Sequence, residues 1–326
     1  MIDLNGKSVL VTGGTGSFGR KFVELVLRDY RPHRLIIFSR DELKQYDMAR
    51  AFPHECMRFF IGDVRDRDRL HRAFEGVEIV VHAAALKQVP AAEYNPLEAV
   101  KTNVLGAANV IDAALDTQVQ RVVALSSDKA ANPINLYGAT KLCSDKLFVA
   151  ANAYSGGRKA RFSVVRYGNV VGSRGSVVPL FLERRGSGAL PITDQRMTRF
   201  WITLEQGVRF VLESLDRMRG GEIFVPKIPS MRIVDLAAAI APECRLETVG
   251  IRPGEKLHEV MVPEDDARNT LEFDDYFVIQ PAFPWWAGEN AKGGRPCAPG
   301  FCYSSDANDW WLSADELRRM AGVQTP

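Results

Sequence analysis

Cysteine is scarce in this chain and follows no pattern. The five that occur (Cys56, Cys143, Cys244, Cys297 and Cys302) are odd in number and nowhere spaced as CxxC, so neither a disulfide framework nor a zinc site is expected. Histidine is equally sparse, and His82, inside the apolar run Ile79-Val80-Val81-His82-Ala83-Ala84, reads as a satisfied core residue. No metal is expected. An excess of charge is missing too: 42 basic side chains against 40 acidic ones leave a formal charge of +2 with no basic tract, which argues against a nucleic-acid partner. Long apolar runs are absent. No stretch reaches the roughly 18 uncharged apolar residues of a membrane helix, and Met1-Ile2-Asp3-Leu4-Asn5 shows no apolar leader, so a soluble, cytoplasmic protein with no membrane partner is expected.

What is present is alternation. At 326 residues the chain can bury a sizeable core in one large or two unequal domains. Short β-branched runs at Lys7 to Thr12, Leu35 to Phe38, Arg58 to Ile61, Glu78 to His82, Arg121 to Leu125 and Phe162 to Tyr167 alternate with amphipathic stretches. That pattern predicts an α/β fold with a doubly wound parallel sheet. Val100, Val104, Ala107, Ile111 and Leu115 recur at three or four residues and predict a helix with one buried stripe. From about Gly175 the pattern loosens into Gly- and Pro-punctuated pieces. Residues 1–174 are therefore expected to form the dinucleotide-binding domain and 175–326 mainly a smaller substrate-binding lobe, with some segments returning to the sheet. The tryptophans of Phe283-Pro284-Trp285-Trp286 suggest that this Pro- and Gly-rich stretch packs on something. No internal repeat is found.

The first strand runs directly into Thr12-Gly13-Gly14-Thr15-Gly16-Ser17-Phe18-Gly19, which satisfies G-x-x-G-x-x-G from Gly13. Glycines at this place permit a sharp strand-to-helix turn and let backbone N–H groups approach a pyrophosphate. Gly13, Thr15, Gly16, Ser17, Phe18 and Gly19 are thus candidate cofactor contacts. The end of the second strand reads Ser39-Arg40-Asp41, with Lys44 one turn on. A guanidinium suits a 2′-phosphate and a carboxylate repels one, which favours NADP over NAD. The alternative is that Asp41 caps the next helix while Arg40 points to solvent. Asp63 and Val64 follow the third strand as candidate adenine contacts, and Ala83, Ala84 and Ala85 end the fourth with side chains small enough to admit a cofactor.

Two further motifs carry chemistry. Ser126-Ser127-Asp128-Lys129 ends the fifth strand, and Tyr137-Gly138-Ala139-Thr140-Lys141 follows eight residues later. A Tyr one turn before a Lys suits proton removal from an alcohol, because the cation favours the phenolate of a group whose ordinary pKa is about 10. Asp128 and Lys129 add an acid and a base that alcohol oxidation alone does not need. Loss of water next to a transient ketone needs both.

Together with Arg166-Tyr167-Gly168-Asn169-Val170-Val171-Gly172, these motifs resemble the extended short-chain dehydrogenase/reductase superfamily of nucleotide-sugar enzymes. The match narrows with Ser39-Arg40-Asp41-Glu42, Met197-Thr198-Arg199-Phe200-Trp201 and Arg252-Pro253-Gly254-Glu255-Lys256-Leu257-His258-Glu259. On these the chain is similar to the short, inverting UDP-N-acetylglucosamine 4,6-dehydratases that open pseudaminic acid synthesis. The resemblance spans about residues 5 to 280 and returns at Phe301-Cys302-Tyr303-Ser304-Ser305, whereas residues 281–300 match no pattern of that family. It implies that Tyr137 and Lys141 oxidise the sugar C4 hydroxyl, that Ser127 donates to the C4 oxygen, and that Lys129 is the base at C5 and Asp128 the acid at C6. The cofactor implied is a tightly bound NADP recycled in each turnover, with Tyr137 and Lys141 also contacting it and Lys141 holding the nicotinamide ribose. Lys87, Asn169, Val177, Arg199, Arg252 and Glu255 are implied as contacts to the UDP-sugar, with Lys87 also near the cofactor. Single residues such as these read equally well as surface charges or loop caps. Homo-oligomers, dimers or hexamers built from them, are implied as well. The alternatives are a nucleotide-sugar 4-epimerase or ketoreductase, which shares the glycine loop and the Tyr-Lys pair, and an inactive NADP-binding scaffold.

Overall fold

The computed structural model describes residues 2–156, 160–172, 177–282 and 293–323. Strands β1 (Ser8–Thr12), β2 (Arg34–Ser39), β3 (Met57–Ile61), β4 (Ile79–His82), β5 (Arg121–Ser127) and β6 (Arg161–Tyr167) are all parallel to their neighbours, in the order β6-β5-β4-β1-β2-β3. The chain winds outward from β1 to β3, then returns to β4 on the other side of β1. That reversal opens a crevice beyond the C-terminal ends of β1 and β4, where ligands of such sheets bind. The six predicted strands match the observed ones to within two residues.

Helices α1 (Ser17–Asp29), α2 (Glu42–Ala51), α3 (Arg67–Phe74), α4 (Val89–Tyr94), α5 (Pro96–Val100), α6 (Gly106–Asp116) and α7 (Leu136–Ala151) flank the sheet in this half. Val9, Leu10, Val11, Val80, Val81, Val122 and Val123 are wholly buried, as β-branched strands covered on both faces require. The stripe predicted across Val100 to Leu115 is interrupted. Residues Lys101–Leu105 form a π turn in which the Gly106 N–H reaches back to the Lys101 carbonyl, and this rotates the helix face. Val104 is only half-buried and Leu105 exposed, while Thr102 and Asn103 turn inward, where Asn103 Nδ2 donates to Thr140 Oγ1 at 3.0 Å.

The second half contributes β7 (Asn169–Val170), β8 (Ala189–Ile192), β9 (Thr198–Ile202), β10 (Ile223–Pro226), β11 (Ser230–Arg232), β12 (Arg245–Thr248), β13 (Val260–Val262), β14 (Thr270–Glu272), β15 (Tyr276–Ile279), β16 (Arg295–Pro296) and β17 (Tyr303–Ser304). Of these, β10, β15, β14 and β16 extend the main sheet beyond β6, β10 parallel to it and the others antiparallel. The others form small sheets, β11-β9-β7, β12-β8 and β13-β17. Leu190 and Ile192 of β8, Trp201 of β9 and Met231 of β11 join a separate apolar cluster with Phe181, Leu236 and Leu317, while Met261, Val262 and Tyr303 of the β13-β17 pair belong to the main core. Trp285 and Trp286 lie outside the described residues. Among the described residues no helix is long and apolar enough to cross a membrane, and no group of His, Cys, Asp and Glu could hold a metal ion.

Candidate active site

The glycine turn is built tightly. Gly13 has φ +66°, its N–H donates to the Phe38 carbonyl at 2.8 Å, and a Cβ there would stand 2.9 Å from the Ala84 backbone. β1, β2 and β4 thereby converge on one point. Helix α1 starts at Ser17 with Gly16 as its N-cap, and it has neither a side-chain cap nor an acid in its first turn. By contrast α2, α3 and α7 are capped by Asp41, Asp66 and Asn135. The open N–H groups and positive end of α1 face a cavity of about 600 Å³, so this cradle suits a diphosphate.

The cavity runs along the C-terminal ends of the central strands. It is lined by Gly13, Thr15, Gly16, Ser17 and Phe18, then by Ser39, Arg40, Lys44, Asp63 and Val64 at one end. Ala83, Ala84, Ala85 and Lys87 line its floor, and Ser127, Asp128, Lys129, Tyr137, Lys141 and Asn169 the other end. Gly19 is buried in α1 against the Gly14 backbone. Val177, Arg199, Arg252 and Glu255 lie outside this lining. Arg199 is 6% exposed and spends its guanidinium on the carbonyls of Thr198, Lys256 and Leu257, with Glu255 at 3.5 Å; Arg252 is exposed.

At the Arg40 end both readings of the sequence hold in part. Asp41 caps α2 by accepting from the Lys44 N–H, and Lys44 Nζ sits 2.6 Å from its carboxylate. Arg40 is 55% exposed yet lines the cavity, 3.5 Å from Asp63 Oδ2. Burial works against the Asp63 charge, but hydrogen bonds from Arg65 and the nearby Arg40 outweigh it and hold the carboxyl below its usual range.

At the other end, α7 is brought against the turn Asp128–Ala130 by Gly138. A Cβ on Gly138 would overlap the Lys129 carbonyl, so only glycine lets Tyr137 stand beside Asp128 and Lys129. Asn135 fixes the start of this helix, accepting from the Gly138 N–H at 2.8 Å and donating to the Gly254 carbonyl at 2.7 Å. Tyr137 is pushed up to about 12 by burial, against which the Lys129 charge and a hydrogen bond with Ser127 pull it down. Burial lowers Lys141, and Asp145 opposes that shift. Asp128 is 1% exposed; its Oδ1 accepts from Ser127 Oγ at 2.8 Å and from Lys129 Nζ at 3.1 Å, while Oδ2 has no partner among the described residues. Burial disfavours the Lys129 ammonium, yet Asp128 and Glu259 raise it above its ordinary value.

Three buried groups at this end were not singled out from the sequence. Asp145 accepts from Ser126 Oγ at 2.7 Å and pairs with Arg166 at 3.3 Å. Its signal was the spacing of Tyr137, Lys141 and Asp145 at intervals of four on one helix face. Arg166 opens the motif Arg166 to Gly172, and Glu259, the last residue of the motif Arg252 to Glu259, is a long-range partner of Lys129 at 3.3 Å. His82 is core, as expected: it is 1% exposed, its Nδ1 lies 2.8 Å from Thr12 Oγ1, and burial and Lys141 push it down to about 3.

A doubly wound sheet, a glycine turn facing an open helix end and a Tyr-Lys pair beside the fifth strand place the chain among the extended short-chain dehydrogenases/reductases. Within them it belongs to the polysaccharide biosynthesis protein family, whose model matches residues 9–281. It is 58% identical over 322 residues, 96% of each chain, to the UDP-N-acetylglucosamine 4,6-dehydratase (inverting) of Campylobacter jejuni. Among solved structures, Pen from Bacillus thuringiensis superposes with a TM-score of 0.90 at 37% identity, covering 98% of both chains. The dTDP-glucose 4,6-dehydratase DesIV of Streptomyces venezuelae, solved with NAD bound, gives a TM-score of 0.68 at 25% identity over 77% of this chain and 86% of that one.

Proposed function

We propose that this chain is a UDP-N-acetylglucosamine 4,6-dehydratase that inverts C5 and uses NADP. The observation that carries the reading is the Asp128-Lys129 turn set beside Tyr137 and Lys141 in one cavity, in a chain 58% identical to an inverting dehydratase. Gly13, Thr15, Gly16, Ser17 and Phe18 would hold the cofactor diphosphate. Arg40 would take the 2′-phosphate, since Asp41 is engaged in capping α2. When bound, the nicotinamide supplies a hydride acceptor at C4 and a hydride donor at C6.

Tyr137 takes the C4 hydroxyl proton, Lys141 favours the phenolate, and Ser127 donates to the C4 oxygen. The ketone acidifies the C5 hydrogen. Lys129 starts as an ammonium, the wrong state for a base, and Asp128 lies one hydrogen bond away. Passing that proton to Asp128 makes a neutral amine and a carboxylic acid in one step. The amine then takes the C5 proton while the acid gives its proton to the C6 hydroxyl, which leaves as water. Return of hydride to C6 is balanced by a proton added to the opposite face of C5, and that inverts the centre. A C4 epimerase has no use for either group. Mass spectrometry of UDP-N-acetylglucosamine incubated with the protein tests the reading, which expects a product lighter by one water; a product of unchanged mass overturns it.

A further inference from the structure

Glu259 stands at the end of the loop before β13 and is 2% exposed. Its backbone is fixed at both ends, its N–H donating to Ser305 Oγ at 3.0 Å and its carbonyl accepting from the Ser305 N–H at 2.8 Å. Ser305 Oγ is itself 2.7 Å from Thr198 Oγ1. The carboxylate is aimed at three cations: Lys129 at 3.3 Å, Arg199 at 3.7 Å and Lys256 at 3.8 Å. Burying this charge is costly unless it acts on its partners. Glu259 is not among the residues that line the cavity, whereas Lys129 is.

We propose that Glu259 is a positioning residue for the dehydration half of the reaction, holding the Lys129 amine in place after Asp128 has taken its proton. This rests on the reading of Lys129 as the C5 base. The ammonium has two hydrogen bonds to carboxylates, one to Asp128 and one to Glu259. Once the first has passed its proton across, only the second still orients the nitrogen, and its lone pair falls on the side of Asp128 and the cavity. The Glu259 charge favours the ammonium, so it opposes the transfer to Asp128 as well as favouring the transfer from C5, and its contribution is the orientation of the amine. The other groups facing Lys129 are Arg199 from β9, Lys256 from the same loop, Lys87 from beyond β4 and Tyr137 from α7.

Glu259→Gln keeps the shape but replaces the charge-assisted hydrogen bond that orients the amine with a weaker one, from an amide that also offers donors. In D₂O it is expected to slow deuterium entry at C5 and water loss by about ten- to a hundredfold. KM for the UDP-sugar and C4 oxidation in a single turnover are expected to stay within about threefold. In a double-variant cycle Glu259→Gln should add little to Lys129→Ala, because it acts through that amine. If Glu259→Gln does not fold, Glu259→Asp withdraws the charge by one methylene and should give the same selective loss. Equal losses in C4 oxidation and C5 exchange, or losses that add in the double variant, would overturn the inference. C5 exchange that survives Lys129→Ala would instead overturn the reading of Lys129 beneath it.

Discussion

Asp128 and Lys129, adjacent in sequence, share a hydrogen bond of 3.1 Å in which the carboxylate is 1% exposed and the ammonium 26%. Asp128 Oδ2, which has no partner among the described residues, is a buried acceptor with capacity for a proton. Asp128→Asn removes that capacity while keeping the shape. It should leave transient reduction of the cofactor visible in a single turnover and slow water loss by about 10²–10⁴-fold, the usual worth of a general acid. Unimpaired dehydration would assign the acid to another group.

Tyr137→Phe keeps the buried ring and loses the proton acceptor. Turnover should fall about 10²–10⁴-fold with cofactor affinity nearly unchanged in titration calorimetry. Since burial pushes the Tyr137 phenol up to about 12, and the phenolate is the proposed base, the alcohol step in the wild type should quicken as pH rises through neutrality. A rate that falls over that range would contradict the assignment.

Cofactor choice tests Arg40. Its guanidinium is 55% exposed beside Asp63, so Arg40→Asp should cost little stability. It should weaken NADP binding by about 1.5–3 kcal/mol, the value of a charge-assisted pair, with much less effect on NAD. Equal losses for the two cofactors would remove Arg40 from the site.

His82 makes a prediction about acid stability. Burial holds the folded imidazole neutral, pushed down to about 3 from an ordinary 6.5. Between those values the unfolded chain binds the extra proton, so stability is full above about pH 6.5 and falls as pH drops toward 3, by up to about 1.4 kcal/mol per unit. His82→Asn keeps an acceptor for Thr12 and should flatten that decline by up to one proton in urea unfolding. Parallel pH slopes for the two proteins would show that His82 is charged in the fold.

Much of this was legible in the sequence, and the reasons are local. The strand from Val9 to Val11 and its neighbours announce themselves because buried parallel strands have no polar face. The glycine turn is legible because its backbone geometry demands its residues. The π turn at Lys101–Leu105 was not, since one extra residue per turn moves Thr102 and Asn103 to the buried face without any change in the apolar spacing. Glu259 was hidden for another reason: it meets Lys129 across 130 residues, and only the pairing of β13 with β17 and the bonds to Ser305 put it there. Arg199 illustrates the converse, a motif residue whose guanidinium is spent on backbone carbonyls rather than turned to the cavity.

On the proposed mechanism Lys129 and Asp128 remove water across C5 and C6 while the hydrogen taken from C4 stays within the site. The measurement that bears on it most directly is the position of solvent deuterium in the product formed in D₂O with only catalytic NADP+. The expected product is a 4-keto-6-deoxy sugar with deuterium at C5 and none at C6, and Lys129→Ala should lose both exchange and dehydration. Deuterium carried into C6 during turnover, or a stoichiometric demand for added NADPH, would contradict it and place the chain among the reductases.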